Sequence, residues 1–183
     1  MMTLLTRQLE RQEITRVWSI DRTELIEHLY LHQNGELVLS AQRFDMRDWP
    51  EGEAEHYTPI LLDSFDRGAP FFGVFDGDTL VAAASVDPRP VAFYDDETAL
   101  RQLSFLHISK VYRGRGIGRQ LFACCETAAR QMGAKGFYVS SIPSENTVHF
   151  YQHLGCRLIA KPDPVLFALE PEDIHFVYLF RDV

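Results

Sequence analysis

The sequence has few cysteines, a deficit of positive charge and no long hydrophobic run, and each shortage excludes a class of protein. Its three cysteines are Cys124, Cys125 and Cys156. An odd number with two adjacent members suits neither a disulfide framework nor a zinc site, so we expect small buried side chains in a reducing compartment. No apolar run approaches the roughly 20 residues that cross a bilayer, and no signal-peptide pattern opens the chain. These absences predict a cytoplasmic protein without a membrane partner.

Acidic residues outnumber basic ones, 26 to 18, which gives a net charge of −8. This charge argues against a nucleic-acid partner, because phosphate contacts need a basic face. It is compatible with a cationic amine substrate, although solubility alone explains it as well. With 46% hydrophobic and 12% aromatic residues the chain is not disordered. No Pro-, Ser- or Gly-rich linker divides the chain, so residues 1–183 are predicted to form a single domain.

Hydrophobic periodicity and chain breakers predict a mixed α/β (α+β) fold. A capping-box pattern at Asp21 to Glu24 and an apolar face from Leu25 to Tyr30 predict a first helix, ended by Asn34-Gly35. Residues 37–44 are either extended or irregular. Strands are predicted over 14–20, 71–75, 79–86, 100–110, 137–141, 157–160 and 173–180. Helices are predicted from Thr58-Pro59 to Gly68, from about 117 to 133 and over 144–154, with loops at 48–52, 87–98 and after 160.

The most informative segment is a glycine- and arginine-rich turn between an apolar strand and an amphipathic helix. It reads Arg113-Gly114-Arg115-Gly116-Ile117-Gly118-Arg119. Such a turn directs unpaired N–H groups, the positive end of a helix dipole and mobile cations to one point, which suits a phosphate or pyrophosphate. Glycines let the main chain approach the ligand, and arginines neutralise its charge.

The spacing of these glycines separates two well-known phosphate-binding motifs from this one. A Rossmann fingerprint needs G-x-G-x-x-G and an acidic residue about twenty positions later, but residues 137–141 contain no acid. A Walker loop needs G-x-x-x-x-G-K followed by Ser or Thr, which the chain lacks. A third interpretation, a nucleotide-binding regulatory domain, would be supported by the glycine turn alone. It is the alternative that we favour least.

Two segments resemble the coenzyme-binding motifs of the GNAT superfamily of acetyl-CoA-dependent N-acetyltransferases. Arg113-x-x-Gly116-x-Gly118 resembles its (Arg/Gln)-x-x-Gly-x-(Gly/Ala) signature. Downstream, the segment from Ser144 to Tyr151-x-x-x-Gly155 looks like the family's second coenzyme-binding helix. The order and separation of the two motifs also agree with the family, and the resemblance covers about residues 70–180.

This resemblance implies a mostly antiparallel central sheet flanked by helices and splayed between its two middle strands. Residues of about 70–180 would form the coenzyme-binding core, and N-terminal helices of about 14–68 the acceptor side. The implied reaction transfers an acetyl group from acetyl-CoA, without a metal, to an amine of a small molecule or peptide. Because the amine attacks directly, Cys124 and Cys125 are not expected to act as nucleophiles. A homodimer is compatible with the family.

The resemblance also implies roles for individual residues. Leu106, His107 and Ile108 would offer main-chain hydrogen bonds to pantetheine and polarise the thioester carbonyl. The loop Arg113, Gly114, Arg115, Gly116, Ile117, Gly118 and Arg119 would bind the pyrophosphate. Tyr151 would protonate the coenzyme A thiolate, with packing between helix and sheet as the alternative. Ser144 occupies the place of a pantetheine-binding asparagine and is also a natural N-cap, and Asn146 lies two positions late.

The sequence does not match the family pattern at the positions of the general base. The places at which many members carry a glutamate fall near Gln102 and Val139, which do not accept a proton usefully. A water chain or an amine that arrives deprotonated would then be needed. His107 has a suitable ordinary pKa, although a histidine on an apolar strand is more often a core residue. Asp21, Glu24 and His28 are further acceptor-side candidates, but a helix cap and a solvated face explain them better. Asp173 and His175 are candidates that edge or turn polarity explains equally well. The missing carboxylates motivate an alternative: a catalytically silent acetyl-CoA sensor or partner module.

Overall fold

A computed structural model describes residues 3–91 and 99–181 of the chain. The strands are β1 (Leu5–Gln8), β2 (Glu24–Gln33), β3 (Glu36–Met46), β4 (Phe71–Asp76), β5 (Thr79–Val91), β6 (Leu100–Ile108), β7 (Gly136–Ser141), β8 (Arg157–Leu158) and β9 (Ile174–Leu179). The helices are α1 (Glu53–Asp66), α2 (Ile117–Gln131), α3 (Glu145–Leu154) and α4 (Pro164–Leu169), with 3₁₀ helices at Arg11–Ser19 and Lys110–Tyr112. A mostly antiparallel sheet flanked by helices confirms the predicted fold class. Among the described helices, none has the length and apolar character to cross a membrane.

The described residues fall into two compact units. The first unit takes its residues from 1–24, 46–88 and 103–128, and the second from 25–45, 89–102 and 129–183. Strand β6 contributes its start to the second unit and its end to the first. The glycine turn therefore belongs to the first unit, and α3 to the second.

In the first unit the strands follow the order β1-β4-β5-β6. β4 pairs antiparallel with both β1 and β5, and the predicted β4–β5 hairpin is confirmed. Residues 14–20 were predicted as a strand, and this prediction is wrong, because most of them lie in the first 3₁₀ helix. Ile14, Val17 and Ile20 are buried at every third position, a period that fits a 3₁₀ helix and not a strand.

In the second unit β6 begins a run of strands ordered β6-β7-β9-β8. The parallel ladder of β6 with β7 joins Leu100–Gln102 to Gly136–Tyr138, and β7 pairs antiparallel with β9 over its full length. The splayed arrangement expected beyond this ladder stays a prediction. Leu100, Tyr138 and Ile159 form a core cluster of this unit.

The first predicted helix is wrong, because residues 24–33 form β2 of a two-stranded hairpin with β3. Asn34 and Gly35 both have positive φ, 52° and 83°, the backbone of a two-residue hairpin turn. Tyr30 N–H donates to the carbonyl of Pro143 at 2.8 Å, so this strand obtains a hydrogen-bond partner that a single sequence does not reveal. Residues 37–44, left open between extended and irregular, are extended in β3.

Other boundaries also differ from the predicted ones, and one helix was not predicted. Helix α1 begins at Glu53 rather than at Thr58-Pro59, and its predicted end near Gly68 is confirmed. The short helix α4 follows the N-cap Asp163 within a region predicted as a loop. Strand β5 continues to Val91 into the predicted loop over 87–98, and residues 92–98 of that loop lie outside the described part of the chain.

Gly136 begins β7 at a point where no side chain fits. A Cβ there would lie 2.4 Å from the main-chain oxygen of Tyr178 and 2.9 Å from Cδ2 of Leu100. Since the first contact is main chain of the paired strand, no rotamer change relieves it. We expect G136A to lower the free energy of unfolding by about 2–3 kcal/mol, measured by urea denaturation. The neighbouring exposed side chain gives the control: K135A should change stability by less than about 0.5 kcal/mol, and equal values for both variants would contradict this packing.

Candidate functional site

The glycine turn has the strand–turn–helix structure that the sequence predicts. Strand β6 ends at Ile108, the Lys110–Tyr112 3₁₀ turn follows, and α2 begins at Ile117. Gly114 and Gly116 have φ of 74° and 80°, and a Cβ at either would meet nothing within 4 Å. Because the first N–H groups of a helix have no partner within it, the turn presents donors and the positive end of the dipole at an open surface. This geometry suits a phosphate group.

Arg113 holds the start of this turn to a distant segment of the same unit. Its Nε donates to the carbonyl of Ile108 at 2.9 Å, its Nη1 to that of Thr23 at 3.1 Å and its Nη2 to that of Asp21 at 3.4 Å. The main chain adds a hydrogen bond from Lys110 N–H to the Asp21 carbonyl at 3.0 Å. The Arg113 guanidinium is therefore engaged with three carbonyls, and direct binding of coenzyme by this side chain stays a prediction.

The other two arginines of the turn are exposed. The guanidinium carbon of Arg115 lies 5.4 Å from the centre of the Tyr112 ring. Tyr112 is itself held by a 2.5 Å hydrogen bond from its hydroxyl to Asp76, an interaction that raises the pKa of the phenol. Arg119 lies in the first turn of α2. Arg115 and Arg119 therefore offer the mobile positive charge that a pyrophosphate site needs.

Helix α3, in the second unit, carries the second motif between two well-defined caps. The Ser144 hydroxyl accepts a hydrogen bond from Thr147 N–H at 3.4 Å, which confirms its place as the N-cap. Gly155 ends the helix with φ of 99°. Tyr151 is 6% exposed and lies 6.1 Å from Phe176 between ring centres. Asn146 is exposed in the first turn.

A family model described as acetyltransferase (GNAT) family matches residues 24–156, which is more than half of the chain. The chain belongs to the GNAT acetyltransferase family. Membership supports acetyl transfer as its class of reaction. A sequence comparison with curated proteins gave no significant match.

Solved structures of acetyltransferases share the fold at low sequence identity. Nourseothricin acetyltransferase is 14% identical, with a TM-score of 0.63 and 95% of each chain covered. The PaiA N-acetyltransferase of Thermoplasma acidophilum, solved with coenzyme A, is 14% identical with a TM-score of 0.63, covering 98% of this chain and 100% of that one. Aminoglycoside 6′-acetyltransferase type Ii is 15% identical with a TM-score of 0.63, covering 98% and 99%. At these identities the likeness shows the fold.

The surroundings of His107 are aromatic. Phe105 and His107 lie two residues apart on β6 and so point to the same face. The ring of Trp49 is stacked 6.1 Å from that of Phe105 and lies edge-on 4.7 Å from that of His107. Trp18 adds an edge contact to Trp49 at 4.9 Å. The chain's two tryptophans thus meet beside the strand that the GNAT resemblance assigns to pantetheine.

Arg22 and Glu53 complete this cluster and were not identified as site residues from the sequence. Arg22 Nη1 lies 3.0 Å from Glu53 Oε1, and the guanidinium carbon lies 5.0 Å over the Trp49 ring. Sequence separation hides this pair, because 31 positions separate its members. The only sequence signal for the pair is Trp49, a large aromatic residue within the predicted loop over 48–52.

The other polar candidates have structural partners within their own units. The Asp21 carboxylate accepts from Thr23 N–H at 2.9 Å and so closes a turn rather than capping a helix. His28 lies 3.3 Å from Glu145. Asp173 accepts from the Ser140 hydroxyl at 2.7 Å, and the His175 ring lies 2.7 Å from the Tyr138 hydroxyl. Each contact supports a structural reading of the residue concerned.

Two of the three thiols, those of Cys125 and Cys156, do not have the electrostatics of a nucleophile, whereas Cys124 is only partly buried and departs from the expectation of buried cysteines. Cys125 and Cys156 are buried, and burial raises the pKa of both thiols, that of Cys156 to about 12. A nucleophilic cysteine needs a lowered pKa. Within 3–91 and 99–181, no cluster of three or more His, Cys, Asp or Glu side chains is arranged to hold a metal ion.

Burial among these rings, together with the nearby cations Arg22 and Arg113, lowers the pKa of His107 to about 3. In the unfolded chain the pKa of a histidine is about 6.5, so on acidification the unfolded state takes up the proton first. Stability linked to His107 is therefore complete above about pH 6.5 and is lost as the pH falls towards 3. Between pH 7 and pH 5 the wild type should lose up to about 2 kcal/mol more stability than H107Q.

Denaturant unfolding at both pH values measures this difference. The exposed His56 supplies the matched control, and H56Q should keep the wild-type pH dependence. A pH dependence of H107Q equal to that of the wild type would mean that His107 carries its proton in the folded protein as readily as in the unfolded one.

Proposed function

We propose that this protein transfers the acetyl group of acetyl-CoA to an amine of a small molecule by direct attack in a ternary complex. Residues of about 70–180 bind the coenzyme, and residues of about 14–68 contribute the acceptor side. Nourseothricin acetyltransferase and aminoglycoside 6′-acetyltransferase are named for small-molecule acceptors, which supports this class for the acceptor. The amine nitrogen forms a bond to the carbonyl carbon, the C–S bond breaks, and the coenzyme leaves as a thiolate.

The glycine turn is the observation that carries this proposal. Its open face at Gly114 and Gly116, the N-terminus of α2 and the exposed Arg115 and Arg119 together fit a pyrophosphate. Ile117 and Gly118 place their N–H groups in the first turn of α2, where they lack helical partners. Arg113 contributes by holding the turn against the end of β6.

The end of β6 is assigned to the pantetheine arm and the thioester. In this assignment Leu106, His107 and Ile108 provide main-chain hydrogen bonds, one of which polarises the carbonyl and stabilises the oxyanion. The His107 imidazole, with its pKa near 3, is neutral at physiological pH and a weak base. We therefore assign His107 to binding, with the amine entering in its neutral form or losing its proton to water.

Tyr151 is assigned the final proton transfer, from its hydroxyl to the departing thiolate. Its ring is packed against Phe176, which limits its rotamers and gives the hydroxyl a defined position. In the first turn of α3 the Ser144 hydroxyl is engaged in the cap, so the amide of Asn146 is the better candidate for a polar contact to pantetheine.

Acetyl-CoA binding and turnover test the proposal directly. The purified protein is mixed with acetyl-CoA and a panel of amino acids, polyamines, aminoglycosides, streptothricin and short peptides, and products are identified by mass. We expect an acetylated product, and G116A should weaken acetyl-CoA binding at least about tenfold, since an alanine strains the positive φ and places a methyl group on the open face. Calorimetry measures the affinity.

Gly77 gives a matched control for this substitution. It lies in the β4–β5 turn with φ of 58° and equally open surroundings, so G77A carries similar backbone strain away from the helix N-terminus. G77A should keep the wild-type affinity. If both variants bind acetyl-CoA like the wild type, the glycine turn is not the pyrophosphate site.

A silent acetyl-CoA sensor is the second candidate, favoured by the absence of a carboxylate at Gln102 and Val139 together with the neutral His107. Y151F separates the two functions. For an enzyme, Y151F should lower kcat by about 100-fold or more, because a positioned general acid is lost, with little change in acetyl-CoA affinity. Wild-type protein that binds acetyl-CoA and acetylates no amine would favour the sensor. If Y151F acetylates amines as fast as the wild type, Tyr151 has a packing role and no catalytic role.

A further inference from the structure

Strand β3 forms one edge of the two-stranded hairpin sheet. Among the described strands β2 is its only neighbour in that sheet, and β3 runs for 11 residues, Glu36–Met46. Because the turn at Asn34-Gly35 has two residues, Gln33 and Glu36 are a hydrogen-bonded pair, and the even-numbered residues of β3 bond β2. The odd-numbered residues direct their main-chain N–H and C=O groups away from β2. They are Leu37, Leu39, Ala41, Arg43 and Asp45.

The opposite edge of the hairpin is covered within the same unit. Tyr30 N–H donates to the Pro143 carbonyl at 2.8 Å, and a β-bridge joins Leu29 to Ser144. Strand β2 thus has partners on both sides, whereas β3 has a described neighbour on one side. A long edge strand pairs readily with another strand, and many proteins protect such edges with proline or lysine. Strand β3 contains neither residue.

Three large apolar side chains of β3 are exposed to solvent. Val38, Leu39 and Phe44 are 42%, 45% and 47% exposed. Because side chains alternate along a strand, Val38 and Phe44 lie on one face of the sheet and Leu39 lies on the other. A partner for this edge therefore has to offer main-chain hydrogen bonds together with apolar contacts on both faces.

A second copy of β3 meets these requirements. A two-fold axis perpendicular to the sheet makes the two strands antiparallel and places residues of the same parity opposite each other. With full overlap of Glu36–Met46, Ala41 faces Ala41 of the second copy at the axis. On either side of the axis, Val38 then faces Phe44 and Leu39 faces Arg43 of the other copy. The first is a β-branched–aromatic pair of the kind that stabilises sheets, and in the second the Arg43 stem covers Leu39.

The charges and the extent of this pairing also fit a dimer. Full overlap places the charged residues Glu36, Arg43 and Asp45 opposite uncharged ones, whereas a register centred on Arg43 would oppose that charge to itself. The strand is about 36 Å long. Leu39, Ala41 and Arg43 alone give about six main-chain hydrogen bonds with the second copy, within the range of a typical interface. Since the β2 edge is covered, association ends at two copies.

We propose that this protein forms a symmetric dimer in which the β3 strands of two copies pair antiparallel over Glu36–Met46, with Ala41 at the two-fold axis. The two hairpins then form one four-stranded sheet in the order β2-β3-β3-β2. The interface is made by main-chain hydrogen bonds and by exposed side chains of β3. This inference does not depend on the proposed acetyltransferase function.

Substitutions at Leu39 test the pairing, because the sign of an introduced charge decides its effect. L39R opposes an arginine to Arg43 at two symmetric positions and should weaken the dimer by about tenfold. L39E opposes a carboxylate to Arg43 and should form a dimer at least about tenfold tighter than that of L39R. Leu31 of β2, which is 36% exposed, gives the matched control, and L31R should keep the wild-type dissociation constant. Sedimentation equilibrium measures the constants, and circular dichroism checks that each variant is folded.

A41P tests the main-chain contacts separately. The Ala41 N–H points away from β2, so a proline there spares the hairpin ladder and removes the hydrogen bonds that Ala41 donates at the axis. We expect A41P to be monomeric at concentrations at which the wild type is a dimer. A wild type that stays monomeric up to its solubility limit would overturn the inference. So would a dimer whose dissociation constant is the same in L39R, L39E and A41P, because its interface would then lie elsewhere.

Discussion

The attachment of residues 21–23 to the end of β6 is the constraint on which the candidate site depends. Arg113 joins the carbonyls of Ile108, Thr23 and Asp21, and main-chain and hydroxyl contacts at Ser109 and Lys110 add to it. Three parts of the first unit meet in this one set of hydrogen bonds: the entry to the glycine turn, the end of β6, which we propose to bind pantetheine, and the segment of residues 21–23. Loss of the Arg113 side chain would remove its donors from the carbonyls of Ile108 and Thr23 at once, whereas the Asp21 carbonyl would keep the hydrogen bond from Lys110.

The aromatic cluster on β6 determines the protonation state of the same region. Trp49 and Phe105 surround the His107 ring, and the positive charges of Arg22 and Arg113 add to the cost of protonating it. A neutral imidazole next to a cation is a poor base and a good packing element. The chemistry assigned to this strand therefore rests on main-chain groups, whose position the cluster stabilises, and not on a titrating side chain.

Local patterns predicted the parts of the site whose geometry is local. The turn after β6, the Ser144 cap and the end of α3 at Gly155 depend on residues within a few positions of one another. For residues 24–33 the local pattern gave the wrong prediction, a helix. Their helical capping pattern was outweighed by the hairpin turn at Asn34-Gly35 and by the hydrogen bond to Pro143. The signature residue Arg113 was recognised, but its carbonyl partners, up to 92 positions away, were not predictable.

By itself the sequence determined the family, the strand–turn–helix with its glycines and the second helix with its tyrosine. These follow from residue types at short, regular spacing, where the allowed backbone conformations restrict the outcome. Only the tertiary structure decided that Arg113 binds carbonyls, that the tryptophans meet over β6, and that Arg22 pairs with Glu53. Such contacts depend on which distant segments the folded core brings together, and a one-dimensional pattern of residue types does not encode that choice.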